Sequence, residues 1–466
     1  MERRNFLKHS SLALVGAGFF KSAAGETVVA NHSVANGIAK NIIFLVSDGM
    51  STGTLTMANL LLQKKEGRTS QWMQMYSKNL VRRALMDTAS ANALVTDSAA
   101  ASSSWGGGVR VNNGSLNTNA DGSFNKPILQ KFKAAGKSVG CVTSVPVAHA
   151  TPAGFCVSRS KRSGMEDIAL EYLTLRFDVM MGGGTELFAA DKRKDKRDLF
   201  KEFVDGGFNV LQSRSQLFNV NKSSNKPILG VFNPTSIPYA LDRVNDTDLK
   251  EKTPTLAEMS KAAIEHLSKN KKGFALQIEG GKVDWAAHAN DAGALLYDQI
   301  AFDDALKVAM DFAKTNKETL VIVTTDHGNA NPGLFSGPSK NFERVCNFKH
   351  TNEWVLMGIN RNFSVKQVIE RLEEAQGYAI TDDEAKTILS RYENLDESGL
   401  YNSYKLPFKI LAEIQRKYTS IGWAGTDHSG DHVELAMYGP GSEKLKPFVK
   451  NYELHNFMLN SAGVRV

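Results

Sequence analysis

Cysteine is scarce in this chain: Cys141, Cys156 and Cys346 are the only three in 466 residues. An odd number cannot all pair within one chain, and no Cys-x-x-Cys occurs, so the sequence is not that of a disulfide-built scaffold. The simplest reading is small buried thiols, with a Cys141–Cys156 disulfide left open for an oxidising compartment. Long apolar runs are also missing. No internal stretch approaches the roughly 20 residues that cross a bilayer. Neither sign of charge dominates: the net charge is +7, and residues 1–24 carry +3 of it, leaving +4. That mild excess suits weak steering of an anionic substrate. With no basic stripe interleaved with aromatics, it does not point to nucleic acid. No fixed-period repeat occurs. Met181-Gly182-Gly183-Gly184 is glycine-rich but lacks the following Lys-Ser/Thr of a nucleotide P-loop.

What remains is an ordinary globular composition, 42% hydrophobic and 23% charged, behind a distinctive N-terminus. Arg3-Arg4-Asn5-Phe6-Leu7-Lys8 precedes an apolar run over 11–20 and the small residues Ser22-Ala23-Ala24. The order matches a twin-arginine export signal, and the run is too short for a membrane helix. Residues 1–24 are therefore expected to be an export signal, with the rest of the chain periplasmic or extracellular.

Apolar runs at 41–46, 138–142, 274–278 and 319–323 are bounded by polar residues, as in fully buried strands. Helical periodicity fills 165–176, 255–267 and 297–313. This alternation predicts an α/β fold: a large, mostly parallel central sheet with helices on both faces. Residues 25–466 read as one domain. Within it, 107–126 reads as a surface loop and 335–422 as a helical insertion. Sites in such sheets gather beyond the C-terminal strand ends. Ser47-Asp48-Gly49, His149-Ala150-Thr151, Glu279-Gly280-Gly281 and Asp326-His327-Gly328 all fall there.

Each motif alone is weak. Asp284 and His288, four apart, share a face if helical, a sound half-site for zinc. Asp326 and His327 are adjacent, so both converge on one ion only if the chain turns, which Gly328-Asn329 permits. His428 and His432 repeat the four-residue spacing. Ser98 heads Ala99-Ala100-Ala101, a helix start whose free N–H groups suit a phosphate. A serine needs an activator, and the Gly-x-Ser-x-Gly elbow is absent, which favours a metal.

Taken in order, Ser47-Asp48-Gly49-Met50, Thr96-Asp97-Ser98-Ala99-Ala100, His149-Ala150-Thr151-Pro152-Ala153-Gly154, the segment 279–288, Thr325-Asp326-His327 and His428-Ser429-Gly430 resemble the alkaline phosphatases over about residues 41–441. The resemblance implies a three-layer sandwich and hydrolysis of phosphate monoesters with two Zn2+ and one Mg2+. It assigns Asp284, His288 and His428 to one zinc, and Asp48, Asp326 and His327 to the second. Asp48, Thr151 and Glu279 fall to magnesium, with His149 reaching that ion through water. Ser98 becomes the nucleophile, forming a phosphoserine. Arg162, matched by ungapped spacing, grips the phosphate and Asp97 orients it; Arg159 is the competing arginine. His149 and Trp285 stand where some members carry Asp and Lys. His350 and His432 are left out of the ligand set. The family is commonly dimeric, so a homodimer is the implied assembly. The competing readings are a phosphodiesterase or sulfatase of the same superfamily, and an exported phosphate-binding protein without turnover.

Overall fold

The computed structural model describes residues 39–465 apart from 221–222 and 401; the export-signal reading of 1–24 lies outside them. Ten strands form one sheet. In chain order they are β1 (Asn41–Val46), β2 (Arg82–Asp87), β3 (Ser138–Pro146), β4 (Val179–Gly183), β5 (Asn209–Leu211), β6 (Ile228–Val231), β7 (Phe274–Glu279), β8 (Thr319–Thr324), β9 (Val433–Tyr438) and β10 (Phe448–Lys450). Their spatial order is β10-β2-β9-β8-β1-β7-β3-β4-β6-β5. All neighbours run parallel except β9, which is antiparallel to both β8 and β2. The four sequence-predicted runs are the four central strands. Their residues are almost all buried on both faces, which is why they read as continuous apolar runs.

Register aligns the strand ends. Val46 lies opposite both Glu279 and Thr324, and Thr143 lies opposite Glu279. One row of residues therefore ends three adjacent strands, β8, β1 and β7, and meets β3 three residues before its end, and the segments leaving it enter a common space. Two hydrophobic clusters flank the sheet, one on each face. Ile43, Leu45 and Ile278 belong to one, and Ile42, Phe44 and Val46 to the other, as strand alternation requires.

The helices Ser98–Gly107 and Ala150–Cys156 pack closely because small residues line the contact. A Cβ at Gly154 would sit 2.1 Å from Ser102 Oγ. The loop between Gly107 and residue 126 is more than a surface loop: Leu116 and Asn117 are fully buried, and Asn117 Nδ2 donates to the carbonyls of Gly154 and Val157, both at 2.7 Å. The 335–422 segment is helical, including Asn352–Met357, Val365–Gln376, Asp382–Leu389 and Phe408–Thr419. Its two ends are tied together where Gly333–Leu334 pairs antiparallel with Ile421–Gly422. Among the described residues, no helix is long and apolar enough to cross a membrane. Cys141 and Cys156 are free buried thiols with their sulfurs 3.6 Å apart.

Candidate active site

Over the strand-end row the chain collects four carboxylates, two threonines and four histidines. Asp48 follows β1 and is fully buried. Gly49, at φ 66°, turns the chain there; a Cβ at that position would lie 2.6 Å from Asp284 Oδ1, so glycine is needed both for the turn and for the space. Asp48 Oδ2 accepts from Thr151 Oγ1 at 3.1 Å, while its Oδ1 has no partner. Burial, followed by Asp326, Asp284 and Glu279, pushes its carboxyl well above the usual range. Asp326 Oδ1 accepts from the Gly49 and His327 amides at 2.9 and 3.0 Å; its Oδ2 lies 3.1 Å from His327 Nε2. Glu279 accepts a short hydrogen bond from Thr143 Oγ1, its Oε1 is unpartnered, and burial raises it to about 7.

The short helix Lys282–His288 puts Asp284 and His288 on one face, with Asp284 Oδ2 3.4 Å from His288 Nε2. His428 enters from the antiparallel pairing of His428–Ser429 with Gly328–Asn329. Its Nε2 lies 3.1 Å from that of His288 and 3.5 Å from Asp284 Oδ1. The turn expected at Gly328-Asn329 falls two residues later, at Ala330 and Asn331, both with positive φ; residues 328 and 329 instead pair with the His428 strand. Although burial disfavours its charge, Asp284 is held well below the usual carboxylate range by hydrogen bonds from His288 and His428. Burial also works against charge on His428, but Asp284 raises it to about 9.

Ser98 is 2% exposed and opens the Ser98–Gly107 helix, which Asp97 caps by accepting from the Ala100 amide at 2.9 Å. Ser98 Oγ lies 3.5 Å from His327 Nε2. The His327 ring stacks on His428 at 3.6 Å, so Ser98 faces the junction of two ligand-like sets. Arg162 Nη1 donates to Asp97 Oδ2 at 3.0 Å. Arg159 turns away to Asp167 and Glu171.

Ligand-type atoms within 4.8 Å of one another group as Asp284–His327–His428, Asp48–Asp326–His327 and Asp48–His149–Glu279. The sequence-predicted residues thus converge, with His327 shared between two groups. His288 joins through its contacts to Asp284 and His428, and Thr151 through Asp48. His350 stays apart, 3.2 Å from Asp242 and stacked on Trp354, and His432 packs against Phe448. Asn329 was not singled out from sequence. Its Nδ2 donates to Asp284 Oδ1 at 2.7 Å, while its backbone pairs with His428. Its position two residues after Asp326-His327 is the only signal the sequence carries.

A buried serine at a helix start, an arginine paired with Asp97, and clustered acidic and histidine side chains over parallel strand ends make a site of the kind hydrolases use. The sequence model described as "Alkaline phosphatase" matches residues 39–464. Alkaline phosphatase 4 of Bacillus subtilis (strain 168) is 30% identical over 427 residues, covering 90% of this chain and 88% of that protein. Alkaline phosphatase of Escherichia coli (strain K12) is 30% identical over 348 residues, covering 66% of this chain and 73% of that one. The crystal structure of Thermus thermophilus alkaline phosphatase superposes with a TM-score of 0.84 at 30% identity, covering 96% of both chains. The chain belongs to the alkaline phosphatase family. It is a phosphomonoesterase whose large, mostly parallel sheet is that of the family's three-layer α/β sandwich.

Proposed function

We propose that the protein hydrolyses phosphate monoesters through a phosphoserine on Ser98, in a site that holds two zinc ions and one magnesium. The observation that carries this reading is a set of buried carboxylate oxygens over the strand ends that accept no hydrogen bond: Asp48 Oδ1, Asp326 Oδ2 and Glu279 Oε1. Buried polar atoms are nearly always satisfied, so several orphans in one place mark a site for ions. The donor chemistry fits. Asp284, His288 and His428 offer the nitrogen and oxygen set of a zinc, as do Asp48, Asp326 and His327. Asp48, Thr151 and Glu279 offer the oxygens that magnesium prefers. When bound, the ions lower the pKa of the attacking hydroxyl and water and neutralise charge on the entering and leaving oxygens.

The chain's own residues do the rest. Ser98, at the start of its helix, presents Oγ to phosphorus for in-line attack, and the helix N-terminus favours the anion. Arg162, oriented by Asp97, spreads two N–H donors across two equatorial phosphoryl oxygens. A water then attacks the phosphoserine from the opposite side, and two inversions give net retention. The test is hydrolysis of an aryl phosphate at alkaline pH by wild type and Ser98→Ala, after chelation and after zinc plus magnesium repletion. Turnover should return with the metals and fall at least about a thousandfold in Ser98→Ala. Acid-quenched wild type should carry phosphate on Ser98. A metal-replete wild type that spares monoesters and cleaves a diester or sulfate ester overturns the substrate class.

A further inference from the structure

The helix Lys282–His288 ends in a turn that needs a left-handed residue, and Asn290 supplies it at φ 51°. The Asn290 amide donates to the Ala287 carbonyl at 2.9 Å, and the Asp291 amide to that of Ala286 at 3.0 Å. Glycine meets this backbone demand without steric strain; asparagine is the less common choice and brings a side chain. Here that side chain is buried, with the residue 3% exposed, and its Nδ2 donates to the Gly425 carbonyl at 2.9 Å. The next carbonyl along, that of Thr426, lies 2.6 Å from His288 Nδ1. A carbonyl only accepts, so Nδ1 carries a proton, and Nε2 is the nitrogen left to ligate an ion beside Asp284 and His428.

We propose that Asn290 is a positioning residue for His288: it ties residues 424–427 to the helix end, and the Thr426 carbonyl of that segment then sets the tautomer and tilt of the imidazole. The inference rests on the reading of His288 as a zinc ligand. The segment has little packing of its own, since Ala424 and Gly425 are exposed, so hydrogen bonds from two sides hold it. On one side the Ala330 carbonyl accepts from the Ala424 and Gly425 amides at 2.9 and 3.3 Å, and the Ala330 amide donates to the Asp427 carbonyl at 2.9 Å. On the other side stand Asn290 and His288. Without the Asn290 amide, His288 would hold that side alone, and its ring would follow a looser carbonyl while having to meet an ion. Partners of this kind fix the orientation of a ligating imidazole before the ion arrives. The same segment leads directly into His428 and begins where the 335–422 segment closes on itself at Ile421–Gly422, so the helical segment is joined to the Asp284–His288–His428 group through it.

The test compares Asn290→Gly with Asn290→Asp. Glycine keeps the left-handed turn and removes only the side-chain amide; aspartate keeps the shape but turns a carboxylate on the Gly425 carbonyl. Zinc affinity is read by competition with a chromophoric zinc chelator, without turnover. Asn290→Gly should weaken one of the two zinc ions about tenfold and leave the other unchanged. Asn290→Asp should weaken that same ion further. On a His288→Ala background, Asn290→Gly should change zinc affinity no further, the mark of a pair acting together. The kcat/KM of Asn290→Gly, reduced at limiting zinc, should return to the wild-type value at saturating zinc. The proposal is overturned if Asn290→Gly holds both ions as wild type does, or if it weakens zinc equally with and without His288. Wild-type protein that takes up no zinc overturns the reading of the site itself, and the proposal with it.

Discussion

Among the helices of the 335–422 segment, Asn352, Gln376 and Gln415 are buried side by side. Asn352 Oδ1 accepts from Gln376 Nε2 and Gln415 Nε2 at 2.8 and 2.7 Å; Asn352 Nδ2 donates to Gln415 Oε1 at 2.8 Å; Gln376 Oε1 accepts from Gln415 Nε2 at 2.6 Å and from Tyr378 at 2.8 Å. Over the strand ends, Asp48, Asp326, Glu279 and His327 are buried at least as deeply, and each keeps an atom with no partner. The amide cluster closes on itself and needs nothing from outside, so it serves the fold. The strand-end cluster is complete only with a ligand, so the fold carries its cost for the sake of function.

The sharpest way to break this contrast is to neutralise a member of the strand-end cluster. In chelator, Asp48 faces Asp326, Asp284 and Glu279 without an ion between them, and burial and those carboxylates disfavour its charge. Asp48→Asn should abolish turnover. In chelator the variant should nevertheless melt above wild type, by the equivalent of roughly 1–2 kcal/mol. With zinc and magnesium present the order should reverse, because ions that bind only the folded state stabilise wild type by mass action. Differential scanning calorimetry in the two buffers reads both signs. If Asp48→Asn melts below wild type in chelator, the strand-end cluster is not under strain and the contrast fails.

The amide cluster should respond in the opposite sense. Gln415→Leu leaves the buried Asn352 Nδ2 without its acceptor and removes one donor each from Asn352 Oδ1 and Gln376 Oε1, and should cost about 1–3 kcal/mol in denaturant unfolding. The kcat/KM should stay within about twofold, since none of these residues touches the site. A stable Gln415→Leu, or one with a large loss of activity, erases the distinction between the two regions.

The two regions also differ in how far the sequence discloses them. The central strands were readable because burial on both faces makes them unbroken apolar runs. β3 still runs on to Pro146, past the apolar stretch, because the Thr143 hydroxyl is satisfied by Glu279 and that of Ser144 by the Lys282 amide. β5 and β6, three and four residues long, fall below what periodicity resolves. The acidic and histidine side chains of the site were legible because their types and spacings carry chemistry. Asn329 was not, since an asparagine after a strand reads as a turn. The amide cluster left no trace at all: its members lie 24, 39 and 63 residues apart, and nothing local links them.

The smallest effect belongs to a charge at the edge of the same helical segment. Glu384 closes the capping box of the Asp382–Leu389 helix by accepting from the Thr381 amide at 3.0 Å, and it also accepts from Lys417 Nζ and the Tyr418 hydroxyl, each at 2.7 Å. Partial burial works against its charge, but these donors win and hold the carboxyl down to about 2. The unfolded chain binds that proton near the ordinary glutamate value of about 4.3. The stabilisation is therefore complete above that pH and is lost as pH falls from it toward 2. Glu384→Gln, neutral at every pH, should cost on the order of 1 kcal/mol at pH 7 and progressively less below pH ~4. Unfolding midpoints of the two proteins should then converge in acid. If the gap between them stays constant from pH 6 to 3, the Glu384 hydrogen bonds act without its charge, and this part of the segment is held together as the amide cluster is.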